Sequence, residues 1–112
     1  MAAVANLSLD QGATFSSDIT VKDINGNVFD LTGYTAAAKL AKGYSSTRTR
    51  TAMTTAFAQD RTSGILSISL TANQTASLDP ERYVYDVEIT SSGGIVTRVL
   101  EGIITVRPEV SV

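Results

Sequence analysis

Two acidic side chains, Asp86 and Glu88, stand two residues apart in the run Tyr-Val-Tyr-Asp-Val-Glu-Ile at residues 83–89. On a β-strand this spacing puts both carboxylates on one face, where they could bind a metal ion or act as acid and base. Such pairs more often keep the outer face of a sheet soluble, or pair with a cation on the neighbouring strand. Arg98 is the candidate cation, so we favour the structural interpretation.

The sequence offers few residues for other kinds of catalysis. The sequence contains no histidine, the commonest general base and metal ligand near neutral pH, and no cysteine for a disulfide or a thiolate. A Ser–Lys dyad would need Lys22, Lys39 or Lys42, which we expect at exposed or edge positions. No phosphate-binding loop, dinucleotide fingerprint or zinc spacing is present. We therefore expect no catalytic residue, no cofactor, no metal site and no small-molecule substrate, and so not an enzyme.

The segment from Asp23 to Asn27, Asp-Ile-Asn-Gly-Asn, is similar to the start of a calcium-binding loop. Gly26 stands at the fourth position where such a loop needs glycine at the sixth, and Tyr34 stands where a bidentate glutamate belongs. A hairpin explains the same residues without an ion, because Asn25-Gly26 is a strong signal for a two-residue type I′ turn.

The charges are segregated along the chain. All eleven acidic residues lie outside residues 31–59, whereas four of the nine basic residues lie inside: Lys39, Lys42, Arg48 and Arg50. We call residues 39–50 the basic hairpin. Its lysines could protect a sheet edge from aggregation, or its charges could contact an acidic face of a neighbouring protein, which is our interface hypothesis. Nucleic acid is not expected, because the net charge is −2 and Tyr44 is the one aromatic residue nearby.

The clearest element that could position these side chains is the strand at residues 83–89. Its period-2 alternation places four side chains on a predicted inner face: Tyr83, Tyr85, Val87 and Ile89. The turn cluster Ser91–Gly94 and a β-branched run over residues 95–100 follow it. We predict a hairpin here, with its first strand at the centre of the core.

The segment at residues 34–42 is ambiguous. Its alanines and lysines favour a helix, with Thr35 as N-cap and Gly43 as stop. The strands around it favour a strand with Ala36, Ala38 and Leu40 inward, because an all-β context often overrides local propensity. We predict a strand.

The remaining elements are short strands separated by turn signals. We expect strands that place these side chains inward: Leu7, Leu9, Phe15, Ile19, Val21, Met53, Phe57, Leu66, Ile68, Leu70, Ile104 and Val106. Residues 28–31 form the return arm of the Asn25-Gly26 hairpin. Thr71 begins a capping box for one helical turn at residues 72–77, Gly102 marks a bend or bulge, and Pro108 ends the last strand.

The length of 112 residues predicts a single domain over residues 1–112. Many short strands with turns between them predict an all-β, antiparallel two-sheet β-sandwich. No segment has the form of a signal peptide, and no apolar run is long enough for a membrane helix.

Six phrases, taken in order, resemble one family. They are Asp10–Phe15, Asp30–Thr35, Thr75–Pro80, Arg82–Glu88, Gly94–Gly102 and Val106–Ser111. This order is similar to the small immunoglobulin-like domains of tailed bacteriophages, including the N-terminal module of upper-baseplate proteins. The resemblance covers nearly the whole chain. It implies an immunoglobulin-like sandwich with no catalytic residues to transfer.

The resemblance also implies a function. We expect a structural virion protein, made in the host cytoplasm without a signal peptide, that serves as an adaptor or decoration module in the tail, baseplate or capsid. Its partners would be other virion proteins, in multiple copies of a symmetric assembly, with no nucleic acid and no membrane. In baseplate proteins a stem or receptor-binding part follows this module, whereas this sequence stops at Val112 and predicts a free-standing module. The alternative is a recognition module for carbohydrate or another host-surface ligand, although the seven aromatic residues leave few for a sugar site.

Overall fold

The chain folds almost entirely as β-strands. A computed structural model describes residues 3–43 and 50–110, and within them it places eight strands, one short α-helix and one turn of 3₁₀ helix. The strands are β1 (Ala3–Val4), β2 (Leu7–Asp10), β3 (Phe15–Thr20), β4 (Thr35–Ala41), β5 (Arg50–Phe57), β6 (Ile65–Leu70), β7 (Arg82–Thr90) and β8 (Val96–Arg107). The 3₁₀ turn (Arg61–Ser63) precedes β6, and the helix α1 (Ala72–Ala76) follows it. The predicted all-β class is confirmed.

The strands follow one curled path in the order β1-β8-β7-β4-β5-β6-β3, and β2 also pairs with β8. Strand β5 joins the two halves of this path, because its residues 50–53 pair with β4 and its residues 54–57 pair with β6. We call β1, β2, β8, β7, β4 and residues 50–53 the first half-sheet, and residues 54–57, β6 and β3 the second half-sheet. The fold differs here from the predicted pair of separate sheets.

The N-terminal edge departs from the antiparallel prediction. Strands β1 and β2 both pair with β8 in parallel, whereas the other strand pairs are antiparallel. No short turn sets the direction of this pairing, because β8 lies at the far end of the chain. The pairing places Leu7 beside Ile104 and Leu9 beside Val106, and Leu9, Ile104 and Val106 are buried. The predicted inward side chains of β2 are therefore confirmed, but the expected antiparallel direction is wrong.

Strand β7 lies at the centre of the first half-sheet, between β4 and β8. Four residues of β7 are buried, each with at most 5% of its surface exposed to solvent: Tyr83, Tyr85, Val87 and Ile89. The residues between them are half-buried on the outer face. The predicted central strand and its inner face are confirmed.

Strand β4 resolves the ambiguity between helix and strand. Ala36, Ala38 and Leu40 face inward opposite Ile89, Val87 and Tyr85 of β7. The two strands pair edge to edge over all seven residues of β4, whereas a helix here would leave this edge of β7 without hydrogen-bond partners. Pairing with β7 therefore outweighs the helix propensity of the alanines.

The second half-sheet supplies the other wall of the core. Leu66, Ile68 and Leu70 of β6 are fully buried, as predicted, and Met53 of β5 is buried where β5 still pairs with β4. Phe57 is half-buried against this core. Residues 44–49 of the basic hairpin lie outside the described residues.

Helix α1 begins with the predicted capping box. The Thr71 side chain accepts a hydrogen bond from the Gln74 backbone N–H, and the Gln74 side chain accepts one from the Thr71 backbone N–H. The hydroxyl of the buried Thr75 donates to the Ala13 carbonyl at 2.9 Å, which ties the helix to the connection between β2 and β3.

The Asn25-Gly26 turn is present but is not type I′. Gly26 has a φ of 82°, and no described residue other than glycine has a positive φ, so Asn25 does not adopt the left-handed conformation that type I′ requires. The Asp23 carboxylate accepts the Asn25 N–H and shapes the turn instead. The return arm forms a single bridge, Lys22 to Val28, rather than a strand.

Gly102 is required for a close approach, not for the predicted bend or bulge. The irregularity in the β7–β8 ladder lies next to Val87 and Glu88, opposite an extra residue, Val99. Strand β8 continues through Gly102, where an added Cβ would stand 2.0 Å from the Ala5 carbonyl oxygen. The backbone of the N-terminal segment therefore crosses directly over this glycine.

Three hydrogen bonds hold that crossing in place. The Tyr85 hydroxyl donates to the Ala5 carbonyl at 2.6 Å, and the Ala5 N–H donates to the Glu101 carbonyl at 2.9 Å. The Ile103 N–H donates to the Asn6 side-chain oxygen at 3.1 Å. Tyr85 thus joins the centre of the core to the first residues of the chain.

This arrangement predicts an alkaline sensitivity that depends on Tyr85. Burial raises the pKa of the Tyr85 hydroxyl to about 12. The unfolded chain loses this proton at a lower pH than the folded chain, so this contribution to stability is complete below about pH 10 and is lost as the pH rises toward about 12. In urea unfolding, Tyr85→Phe should cost about 1 kcal/mol at neutral pH and lose less stability than the wild type above pH 10. Equal alkaline losses in the two proteins would contradict the assignment.

Candidate functional site

The structure places three of the four residues of the interface hypothesis. Lys39 is exposed on the outer face of β4, Lys42 follows the end of β4, and the exposed Arg50 begins β5. Arg48 lies within residues 44–49, outside the described residues. Lys39, Lys42 and Arg50 therefore flank one end of the β4–β5 pair, as the sequence predicts.

Lys42 is balanced by acidic residues of its own chain. Its Nζ contacts the Asp79 carboxylate and lies 3.5 Å from Oε2 of Glu81. The hydrogen bond to Asp79 raises the pKa of the Lys42 ammonium. Exposed pairs of this kind contribute little to stability, but they reduce the charge that Lys42 can offer to a partner. The positive surface is thus smaller than the sequence predicts.

A strip of alternating charge crosses the outer face of the first half-sheet. Lys39 lies opposite Asp86 on β7, and Asp86 lies opposite Glu101 on β8. Arg98 bridges the two acids, with its Nε 3.4 Å from Asp86 and its Nη1 3.1 Å from Glu101. The hydrogen bond to Glu101 and the charge of Asp86 raise the pKa of Arg98.

The carboxylate pair Asp86 and Glu88 therefore has the structural setting that we favoured. Arg98 contacts Asp86 directly and lies opposite Glu88 in the β7–β8 register. Among the described residues, no group of three or more acidic side chains could hold a metal ion. In the turn at residues 23–27, the Asp23 carboxylate accepts hydrogen bonds from the backbone N–H groups of Asn25 and Asn27, at 2.9 and 3.0 Å.

A shallow pocket of about 240 Å³ lies between the basic hairpin and this strip. Both charged and apolar residues line it: Lys39, Leu40, Ala41, Gly43, Arg50, Val84, Tyr85, Asp86 and Glu88. With basic side chains on one wall and acidic side chains on the other, the pocket suits a partner that itself carries both signs of charge.

A larger, apolar groove lies elsewhere, between the open edges of the two half-sheets. Its volume is about 600 Å³, and it is lined by residues of β1, β3, β7, β8 and the connection between β3 and β4: Ala3, Ile19, Thr20, Val21, Lys22, Asp23, Ile24, Phe29, Tyr34, Ile89, Thr97, Val99 and Leu100. The Phe29 and Tyr34 rings meet edge to face at 5.4 Å on its wall. We call this the edge groove.

Several apolar side chains are exposed, and one of them, Ile24, lines the edge groove. Ile24 in the turn after β3 is 96% exposed, and Val4 and Ile95 are each 70% exposed. The sequence pattern does not reveal this surface, because each alternating run is typical of a strand with one covered face. The one available signal was Ile24, an isoleucine in a turn that needs only polar residues and glycine.

In the described part of the chain, the short helix α1 is far below the length and apolar character that a membrane-spanning helix needs. No protein-family model matches the sequence, and no curated protein matches it. Among solved structures, an internalin-like protein of Listeria monocytogenes aligns with 95% of this chain at 15% identity and a TM-score of 0.48. The alignment spans 28% of the length of that protein's chain. A similarity this distant supports no argument about function.

Proposed function

We propose that this chain is a non-enzymatic structural protein of a tailed bacteriophage virion. It is an immunoglobulin-like module, an adaptor or decoration in the tail, baseplate or capsid, that docks to other virion proteins. The observation that carries the proposal is the strand connectivity, together with the six phrases that resemble phage immunoglobulin-like domains.

The connectivity supports an immunoglobulin-like arrangement. Immunoglobulin domains divide strands A to G into the sheets ABED and CFG. If β3 to β8 are taken as B to G, then β3-β6-β5 follows the order B-E-D and β4-β7-β8 follows the order C-F-G. Strand β5 passes from one half-sheet to the other: its first residues pair with β4, and its last residues pair with β6.

The six phrases coincide with residues on which the fold depends. Thr75 in the third phrase holds α1 to the β2–β3 connection, and Tyr85 in the fourth holds the N-terminal segment. Gly102 ends the fifth at the backbone crossing. The occurrence of such residues in the same order supports a shared fold. The proposed virion role is carried over from the phage domains that the six phrases resemble.

A module of this kind acts through its surface. The basic hairpin remains the docking surface that we propose for an acidic face of a neighbouring subunit. Its charges are Lys39, Lys42, Arg48 and Arg50, of which Lys42 also pairs with Asp79 and Glu81 of its own chain. Charge complementarity of this type sets orientation and association rate, and it weakens with salt.

Incorporation into particles tests the docking surface. The variant Arg48→Glu, Arg50→Glu should still fold, with at most a small change in thermal midpoint, because Arg50 is exposed at a strand end and exposed charge interactions contribute little to stability. When it complements a phage that lacks the gene, we expect its amount per purified particle, measured by mass spectrometry, to fall at least several-fold.

The matched control is Arg82→Glu, Arg107→Glu, which makes the same change in net charge at two other exposed arginines. Its amount per particle should equal that of the wild-type protein. Equal incorporation of both variants would return the basic hairpin to edge protection, whereas equal loss would mean that net charge, not the hairpin, determines incorporation.

A further inference from the structure

Strand β3 is the last strand of the second half-sheet, and its hydrogen bonds to β6 use alternate residues. The Val21 N–H, one residue beyond β3, donates to the Gly64 carbonyl at 2.8 Å. This bond continues the register that places Phe15 opposite Leu70. In an antiparallel pair, N–H and C=O groups of alternate residues point to the same side. The odd-numbered residues of β3 therefore direct their backbone groups toward β6.

The even-numbered residues Ser16, Asp18 and Thr20 direct their N–H and C=O groups the other way. Among the strands that the structure describes, none pairs with this second edge of β3. All three residues are exposed, and between Phe15 and Thr20 there is neither Pro nor Lys to discourage pairing, the one charged residue being Asp18. The edge is thus a ready template for one more strand.

The edge groove lies directly beside this template. Ile19, Thr20 and Val21 form its wall on the β3 side, and Val99 and Leu100 of β8 form part of the wall opposite. The groove is open because the N-terminal strands β1 and β2 pair with β8 instead of β3. A strand added to β3 would therefore lay alternate side chains into an apolar groove.

We propose that β3 and the edge groove accept an extended segment of a neighbouring protein, which adds a strand to the second half-sheet. Its main chain pairs with Ser16, Asp18 and Thr20, and its inward side chains are apolar and small enough to fit between Ile19 and Val99. The Asp18 carboxylate makes no ion pair with any described residue and points outward, so the donor carries a basic residue opposite it.

The groove also argues against a second copy of β3 as the occupant. In a symmetric β3–β3 pair, the inner side chains Phe15 and Ile19 of the second copy would already be packed in their own core. Such a pair would form hydrogen bonds along the open edge of β3 but leave the edge groove unfilled. A segment from outside the module can pair with the edge and also fill the groove. The acceptor site depends on this chain's geometry alone, and only the identity of the donor as a virion protein rests on the proposed function.

Hydrogen exchange of the isolated protein, followed by NMR, tests the proposal with a synthetic peptide. The probe is a blocked nonapeptide, Thr-Val-Thr-Val-Lys-Val-Thr-Val-Thr, in which valines face one side and the central lysine faces Asp18. In the free protein we expect the amides of Ser16, Asp18 and Thr20 to exchange at least tenfold faster than those of Ser17 and Ile19. The peptide should protect the Asp18 and Thr20 amides.

Two variants make the test specific. Thr20→Pro removes an N–H that faces the open edge, a position where proline is tolerated, and should weaken peptide binding at least tenfold with little change in thermal midpoint. Asp18→Lys should weaken binding two- to tenfold and favour a peptide with glutamate at its centre.

Four results would overturn the proposal. They are slow exchange of the even-numbered amides in the free monomer, a free protein that dimerises through β3, protection by the peptide at another strand, and no binding at millimolar peptide. Since the probe is synthetic, none of these results bears on whether the protein is part of a virion.

Discussion

Replacing Tyr85 with alanine is expected to lower the free energy of unfolding by about 3–5 kcal/mol, the usual cost of truncating a large buried side chain. Tyr85 is 2% exposed at the centre of β7, next to Leu40 of β4 and Gly102 of β8. The substitution leaves a cavity in the core and also removes the hydroxyl that holds Ala5. Chemical unfolding followed by circular dichroism measures the loss.

Val84→Ala is the matched control on the same strand. Val84 lies on the outer face and is half-buried, so its truncation should cost about 1 kcal/mol. Equal costs for the two variants, or a larger cost for Val84→Ala, would mean that the register of β7 is shifted by one residue.

The second large effect is expected at Gly102. Gly102→Ala would place a Cβ against the Ala5 carbonyl oxygen, a backbone atom that cannot move without the N-terminal segment. We expect a loss of about 1–3 kcal/mol, as for other overpacked sites. The amides of Ala5 and Ile103 should exchange faster, because their hydrogen bonds depend on the same crossing.

Gly93→Ala provides the comparison. Gly93 has no positive φ, and the atom nearest to an added Cβ is the Ser91 hydroxyl oxygen at 3.8 Å. This variant should keep wild-type stability and wild-type exchange at Ala5. Full stability and unchanged exchange in Gly102→Ala would contradict the close approach of the N-terminal segment.

Much of the local structure could be predicted from side-chain periodicity. The inner face of β7 and the buried residues of β6 follow from alternation with period 2, because one face of each strand is buried. The capping box at Thr71 was predictable from two residue types at fixed spacing. These features depend on residues close together in sequence.

The features that sequence reasoning missed depend on distant contacts. The parallel pairing of β1 and β2 with β8 joins the two ends of the chain, and no local pattern encodes its direction. Gly102 looks like a bulge signal in the sequence, but its role comes from Ala5, nearly a hundred residues earlier. Strand β5 leaves β4 after Met53 and pairs with β6 from Thr54, although β4 itself continues to Thr35 beside β7.

The candidate site shows the same division. The pairing of Arg98 with Asp86 was predictable, because neighbouring strands of a hairpin bring such charges together. The contact of Lys42 with Asp79 was not, since it joins a strand end to the segment before β7. The edge groove forms where the edges of two half-sheets lie side by side. In the sequence, each of these strands has the pattern of an ordinary strand, so the groove was not predictable.

The central claim is that the protein is a component of a phage particle, and a quantitative mass-spectrometric inventory of purified virions tests it most directly. The account predicts that the protein is present in every preparation at a fixed copy number that matches a symmetric ring or shell of other virion proteins. Absence of the protein from purified particles, while it is abundant in the lysate from which they came, would contradict the account.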